Sequence, residues 1–262
     1  MFPKIIAIGD FFLPTYGVLV AAGFLIGLWI AARLAARAGL NPQTVTDLGV
    51  YVALAGLVGA KLLMAAYDFR YYAEHPGEFF SFATLQAGGV FYGGLIAALL
   101  VAVWYVRSSK LEFLPVADVF APGIAAGHAI GRLGCLAAGC CWGLQCDRPW
   151  ALTFNDPEAH RLVGVPLGIP LHPTQIYEAL AELVVFGVLY RQFLKPHSAG
   201  RIIGLYLILY PAARFVVEFF RAHERPNPLG WKLSAAQWIT LGLIGLGSWL
   251  VQRRTGKTVK PA

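Results

Sequence analysis

Tyr16-Gly-Val-Leu-Val-Ala-Ala-Gly-Phe-Leu-Ile-Gly-Leu-Trp-Ile-Ala-Ala32 carries no charge, and Arg33 closes it. Such a run approaches the roughly 20 residues that cross a hydrocarbon core as a helix. Gly88–Val106 is a second run of the same kind. The whole chain agrees: of its 262 residues 58% are hydrophobic and only 13% charged, with a mean hydropathy of +0.62. A soluble domain draws on roughly a quarter charged residues to cover its surface, and this chain lacks them. The pattern predicts an all-α polytopic membrane protein with about seven transmembrane helices. They are expected near 16–34, 46–66, 88–106, 115–131, 175–194, 202–220 and 236–252, in one integral-membrane domain spanning 1–262. Pro115, Pro122 and several glycines interrupt the fourth. The first apolar run is full length and lacks a small-x-small site, so it reads as a helix rather than a removed leader.

Lys and Arg exceed Asp and Glu by 21 to 14, for a net charge of +7. The basic residues stand singly between apolar spans rather than in one patch, so no nucleic-acid partner is expected. Arg33 and Arg37, Arg107 and Lys110, and Arg191, Lys195 and Arg201 alternate along the chain with less basic segments. Arg253, Arg254, Lys257 and Lys260 form the tail. Basic loops stay cytoplasmic, which places the C-terminus inside and the N-terminus outside. The segments 67–87, 132–174 and 221–235 then face outward, and the acidic Asp68, Glu74 and Glu78 fit that side. Trp142, Trp150 and Phe154 argue that the 132–174 segment packs at the interface.

Charges inside the spans single out the candidate site. The sixth helix reads Gly204-Leu-Tyr-Leu-Ile-Leu-Tyr-Pro-Ala-Ala-Arg-Phe-Val-Val-Glu-Phe-Phe-Arg221. This spacing puts Tyr210, Arg214, Glu218 and Arg221 on one face. A central charge costs about 2.5–3.5 kcal/mol on insertion scales, so these groups must face protein or a wet cavity. An ion pair that only stitches helices together is the plain alternative. The fifth helix opens His172-Pro-Thr-Gln-Ile-Tyr-Glu178 and adds Glu182 one turn later. These carboxylates share a face and would repel unless a cation intervenes; Arg214 is an available partner. Gly93 and Gly94 follow Tyr92 at the start of the third helix, either for close approach by a lipid or for tight helix packing. His128 and Arg132 stand one turn apart, and an arginine among glycines suits a phosphate.

Cys135, Cys140, Cys141 and Cys146 are the only cysteines. Their C-x4-C-C-x4-C spacing matches no common zinc or iron–sulfur signature, so no metal or other cofactor is expected. Disulfides, buried free thiols and a reactive thiol all fit the spacing.

Taken together, Gly131-Arg-Leu-Gly-Cys-Leu-Ala-Ala-Gly-Cys-Cys-Trp-Gly143 resembles the G-R-x-G-N-F-x-N-x-E-x-x-G signature of the prolipoprotein diacylglyceryl transferases. His172-Pro-Thr-Gln-Ile-Tyr-Glu178 is similar to that family's H-P-[ST]-Q-x-Y-E. Asp118-Val-Phe-Ala-Pro122, Gly93-Gly94-Leu95-Ile96 and the Arg214–Arg221 helix fall in the family's order. The resemblance runs from Tyr16 to Ser234. It implies a multi-pass enzyme of the bacterial inner membrane that moves diacylglycerol from phosphatidylglycerol to the lipobox cysteine of a preprolipoprotein signal peptide. It also implies functional roles for Tyr16, Arg132, Gly143, Tyr210, Arg214 and Glu218, and membrane lipid, the donor and the preprotein as partners. The departures are specific. Tyr92 stands where the family has histidine, Cys135 and Ala138 replace two asparagines, and Cys140 replaces a glutamate. A phenol is a poor base at neutral pH, so His128 is the candidate substitute, with Arg132, Arg214 and Tyr92 as its catalytic partners. Tyr16, Gly93, Gly94, Cys135, Cys140, Gly143, His172, Tyr210 and Glu218 are expected to line the substrate. A diverged relative doing thiol chemistry, or a lipid-binding protein without an enzymatic step, is the alternative.

Overall fold

A computed structural model describes residues 3–8, 11–81, 84, 89–222, 233–253 and 258–261. Gly88, Arg254 and Lys257 lie outside these described residues. A short hairpin, β1 (Lys4–Ile8) and β2 (Phe11–Pro14), leads directly into α1 (Thr15–Arg37). Then come α2 (Pro42–Tyr67), the short α3 (Phe69–Glu74), α4 (Phe91–Ser108) and α5 (Phe113–Ala138). The short α6 (Pro157–Val163), then α7 (Thr174–Phe193), α8 (Arg201–Val217) and α9 (Ala235–Gln252) complete the helices. A helix therefore occupies each of the seven expected positions. Among the described residues, five of them, Thr15–Arg37, Pro42–Tyr67, Phe91–Ser108, Phe113–Ala138 and Arg201–Phe220, are long and apolar enough to cross a membrane. The protein is an all-α, multi-pass membrane protein.

The fourth expected helix does not stop at 131. α5 continues through Arg132 and Cys135 to Ala138, because Gly131 and Gly134 stay helical here. Gly134 lets the helix lie against α1: a Cβ there would sit 3.3 Å from the Tyr16 ring and 3.4 Å from Leu19. The segment beyond α5 also has structure. β3 (Leu152–Thr153) pairs with β4 (Pro170–Leu171), and Leu171 of β4 buries together with Phe154, Ala159 and Val165.

The chain forms two compact units, one of Met1–Gly39 with Ala117–Ala262 and the other of Leu40–Val116. In the first, α1 crosses α5 with glycine on glycine. A Cβ on Gly27 would lie 2.6 Å from the Gly123 carbonyl oxygen, and one on Gly23 equally close to that of Gly127. Without a hydrophobic drive between helices in lipid, such close backbone approach supplies the dispersion contact. α8 starts on Gly200 in the left-handed conformation. The buried Asp118 carboxylate of α5 accepts the N–H groups of Gly200 at 2.7 Å and Ile203 at 2.8 Å. This helix start is thus capped from a neighbouring helix, with an anion at its positive end. In the second unit, α2 and α4 also meet at glycines: a Cβ on Gly94 would lie 2.8 Å from the Gly56 carbonyl oxygen.

Candidate active site

Within the first unit, three helices each turn their charged face toward the others. α5 brings His128 and Arg132, α7 brings Glu178 and Glu182, and α8 brings Tyr210 and Arg214, followed by Glu218 in a single 3-10 turn (Glu218–Phe220) and by Arg221. Each pair sits at i,i+4, one turn apart on one face, so three short sequence signals converge in space.

Glu178, nearly fully buried, is the hub. Its Oε2 lies 2.6 Å from Arg132 Nε, and its Oε1 is 3.4 Å from a terminal nitrogen of both Arg214 and Arg221. Arg214 also pairs at 2.6 Å with Glu218, whose other oxygen accepts the Ser234 hydroxyl at 2.8 Å. Glu182 has a different partner, the Nδ1 of His128 at 2.6 Å. The opposite nitrogen of that ring, Nε2, accepts the Arg132 Nε–H at 3.2 Å. The Tyr210 ring stands edge-on to His128 at 5.0 Å and stacks on Tyr206 at 5.6 Å. Three guanidinium groups thus meet three carboxylates, with a histidine joining the two subsets. A crevice bounded by Glu178, Glu182, Tyr210 and Arg214 opens between α7 and α8.

The expected role of Arg214 as partner to the α7 carboxylates is met for Glu178, whereas Glu182 goes to His128. Glu178, Glu182 and Arg221, read from sequence as charged members of helix faces but not given a site role there, complete the centre. The i,i+4 glutamate pair within an apolar helix is the signal for the first two.

The remaining expected residues divide. Tyr16 packs on Gly134 beside Arg132 and the cysteines. Gly143 sits where no side chain fits: a Cβ would lie 2.5 Å from the Phe220 carbonyl oxygen and 2.6 Å from His172 Cβ. Its N–H donates to the His172 carbonyl, and the next residue's N–H to that of Phe220. Gly143 therefore lets the strand-like 142–144 segment thread between the start of α7 and the end of α8. His172 belongs to an aromatic group, with Nδ1 3.0 Å from the Tyr177 hydroxyl and its ring 5.1 Å from that of Phe220. Tyr92, Gly93 and Gly94 lie in the second unit. Tyr92 is exposed beside Phe91, and both glycines meet α2 backbone, Gly93 at Gly59 and Gly94 at Gly56.

Cys135 and Cys140 come together with Cys141, all as free thiols, while Cys146 is buried elsewhere and accepts the Arg148 N–H.

The model of the family described as prolipoprotein diacylglyceryl transferase matches residues 3–253. The chain belongs to the prolipoprotein diacylglyceryl transferase family. A relative from Nitratidesulfovibrio vulgaris (strain DSM 19637 / Miyazaki F) is 36% identical, covering 99% of this chain and 96% of its own. Relatives from Photobacterium profundum and Methylobacillus flagellatus are 34% and 32% identical, over 92% and 95% of this chain and 86% and 95% of theirs. All three are named phosphatidylglycerol–prolipoprotein diacylglyceryl transferases. Arg132 and the Cys135, Cys140 and Cys141 group lie in the Gly131–Gly143 segment, Glu178 closes the His172–Glu178 segment, and Arg214, Glu218 and Arg221 lie along the Arg214–Arg221 segment.

Proposed function

We propose that the protein transfers the diacylglyceryl group of phosphatidylglycerol to the lipobox cysteine of a preprolipoprotein signal peptide, in the bacterial inner membrane. The observation that carries the reading is the cluster of Arg132, Arg214 and Arg221 around one buried carboxylate, inside a chain that matches the transferase family along its length. Glu178 meets each guanidinium through a single nitrogen, and the remaining donors are the ones proposed to take an anion. The donor's phosphodiester is such an anion, and charge-assisted bonds strengthen as it becomes the leaving phosphate monoester. The acceptor sulfur attacks the glycerol carbon, a C–S bond replaces the C–O bond, and glycerol phosphate departs with the electron pair.

The acceptor thiol must lose its proton. His128 is the proposed recipient, with Arg132 drawn toward the phosphate and the Nε2 lone pair thereby released. Glu182 would hold the ring and stabilise the imidazolium. One of its oxygens lies 2.6 Å from Nδ1 and the carboxylate is almost wholly buried, so a charged ring would meet a desolvated anion. Tyr210, which borders the crevice, and Tyr16, which stands near Arg132, are proposed as substrate-positioning groups, together with Cys135, Cys140, Gly143, His172 and Glu218. Gly93 and Gly94 meet α2 backbone at Gly59 and Gly56, so tight helix packing is the role proposed for the pair.

The proposed arrangement is seven spanning helices with the N-terminus outside and the C-terminus in the cytoplasm. The test is turnover: full-length protein in detergent, phosphatidylglycerol labelled in its acyl chains, and a lipobox peptide. Label should move to the cysteine peptide and not to its serine counterpart. Arg132→Ala should abolish transfer, and Arg132→Lys should restore little of it, because a point charge lacks the planar fork. A folded wild-type protein that never labels the peptide would refute the assignment.

A further inference from the structure

Three of the four cysteines meet although their spacing gives no hint of it. Cys135 lies in the last turn of α5, Gly139 (φ +80°) ends the helix, and the chain doubles back. The Cys140 N–H donates to the Cys135 carbonyl at 3.1 Å. Cys141 then adopts φ +62°, a left-handed backbone that a residue with a Cβ rarely takes. The result is that the Sγ atoms of Cys135, Cys140 and Cys141 all lie within 4.8 Å of one another.

This turn is fixed from outside. The start of α7 clamps it, Thr174 donating its hydroxyl to the Cys141 carbonyl and Gln175 its amide to the Cys140 carbonyl, each at 2.7 Å. Thr174 and Gln175 are almost wholly buried. Strain at a non-glycine residue, held by two buried side chains, is the mark of a position kept for use rather than packing. Cys140 and Cys141 remain partly accessible, so the group is open on one side. Arg132 and Arg221 act on the Cys141 sulfur, and Tyr16 lies within electrostatic range of all three.

We propose that Cys135, Cys140 and Cys141 form a three-thiolate site for a zinc ion, whose open fourth position takes the sulfur of the acceptor cysteine. The inference rests on the transferase reading for the identity of that acceptor. In a tetrahedral site with Zn–S of about 2.3 Å the sulfurs stand roughly 3.8 Å apart, so the observed group needs only a small contraction. Soft thiolates select zinc over the hard divalent ions. Three thiolates on a divalent ion carry one net negative charge, and the flanking Arg132 and Arg221 are suited to balance it. Three protein ligands with an open place is the pattern of catalytic rather than structural zinc. A coordinated thiol gives up its proton, which His128 or solvent takes, and the metal-held sulfur remains a nucleophile. The metal thereby supplies activation in the segment where Cys135 and Cys140 stand in place of the asparagine and glutamate of the signature. No oxidant or reductant enters: the S–H proton leaves, the C–S bond forms, and the C–O bond to phosphate breaks.

The test uses full-length protein purified in detergent without chelator from zinc-replete medium. Elemental analysis should find about one zinc per chain. Exchange for cobalt should give the sulfur-to-metal charge-transfer band and the visible bands of a tetrahedral thiolate site. A lipobox peptide with cysteine should shift those bands, and the serine peptide should leave them unchanged. Cys135→Ser, Cys140→Ser and Cys141→Ser should each lower cobalt affinity more than tenfold, roughly the smallest effect expected even of an outer-shell change, whereas Cys146→Ser should retain it. Protein that takes up no cobalt while all three thiols alkylate, or that carries a disulfide between two of them under reducing purification, would overturn the site. The spectra need no active enzyme, so the two readings fail separately. Peptide-shifted cobalt bands without label transfer would uphold the site and sink the donor assignment. Transfer that continues undiminished after complete metal removal would overturn the zinc proposal and leave the transferase standing.

Discussion

His128 is poised between an anion and a cation, and which partner it keeps decides what it can do. With Nε2 accepting from Arg132 and Nδ1 against Glu182, the ring has no lone pair to offer a thiol until Arg132 turns away. Binding of the donor phosphate supplies the reason to turn, which couples lipid occupancy to base strength. We therefore expect His128→Ala to lower the transfer rate by roughly a hundredfold near neutral pH, within the usual range for a general base. The deficit should narrow as pH rises, because hydroxide increasingly removes the proton instead. A merely structural role for the ring would give a loss that does not change with pH. Tyr92→Phe should cost less than His128→Ala, since it removes only an orienting hydroxyl. A pH–rate profile of wild type and both variants decides the matter, and a flat deficit would assign the base elsewhere. Of this centre, Arg132, His128, Arg214 and Glu218 are legible in the sequence, because intramembrane charge is costly enough to need a reason. The hub role of Glu178 is not. Its partners lie on three segments, and no spacing rule links Arg132, Arg214 and Arg221 to one carboxylate. Nor does the C-x4-C-C spacing reveal the Cys135–Cys140–Cys141 group, because a positive φ at a cysteine cannot be read from neighbouring residues.

Helices are far easier to read than their ends. Long uncharged runs between arginines define them, as Tyr16–Ala32 does for α1, and propensity hardly enters. The end of α5 escapes a sequence reading because Gly131 and Gly134 look like loop residues, whereas in a membrane small residues mark helix contacts. The same logic separates the glycines into two kinds. Gly27 faces the Gly123 backbone, and a methyl group there would meet a carbonyl oxygen at 2.6 Å, a contact that only movement of a whole helix can relieve. Gly187, in the middle of α7, has nothing within 4 Å of its missing Cβ. Gly27→Ala should therefore destabilise the protein by about 1–3 kcal/mol or more, the range for overpacking. Gly187→Ala should be neutral or stabilise by up to roughly 1 kcal/mol, the helix advantage of Ala over Gly. Thermal unfolding of both variants in the same detergent gives the comparison. Equal midpoints would mean that α1 and α5 are not held by their backbone contact.

Sidedness is a property of the entire chain, and two contacts within the first unit bear on it. Lys4 of the N-terminal hairpin pairs with Glu158 of α6 at 2.6 Å, so the N-terminus and the 132–174 segment meet at one end. At the tail, β5 (His197–Ser198) pairs with β6 (Thr258–Val259), which joins the C-terminal segment to the α7–α8 connection bearing Lys195 and Arg201. These are the groupings that loop charge requires, less basic segments together and basic ones together. Arg33 stacks over Trp29 at 4.9 Å and Arg253 over Trp249 at 5.0 Å. Each pair closes a helix with an interfacial ring and a cation whose stem can lie along apolar surface while its charge reaches the headgroups. A fluorescent protein that matures only in the cytoplasm, fused after Ala262, should therefore glow, and alkaline phosphatase fused there should stay inactive. The same phosphatase placed at the exposed Gly168 turn should be active. Replacing Arg191, Lys195 and Arg201 together by Gln should weaken this bias, since short-loop Lys and Arg carry the orientation signal. The tail still holds its own cations, so a mixed population is expected rather than a full inversion. An active phosphatase at the C-terminus of the wild-type chain would reverse the topology and move the arginine–glutamate centre's access to the cytoplasmic side, where a secreted preprotein could not reach it after translocation.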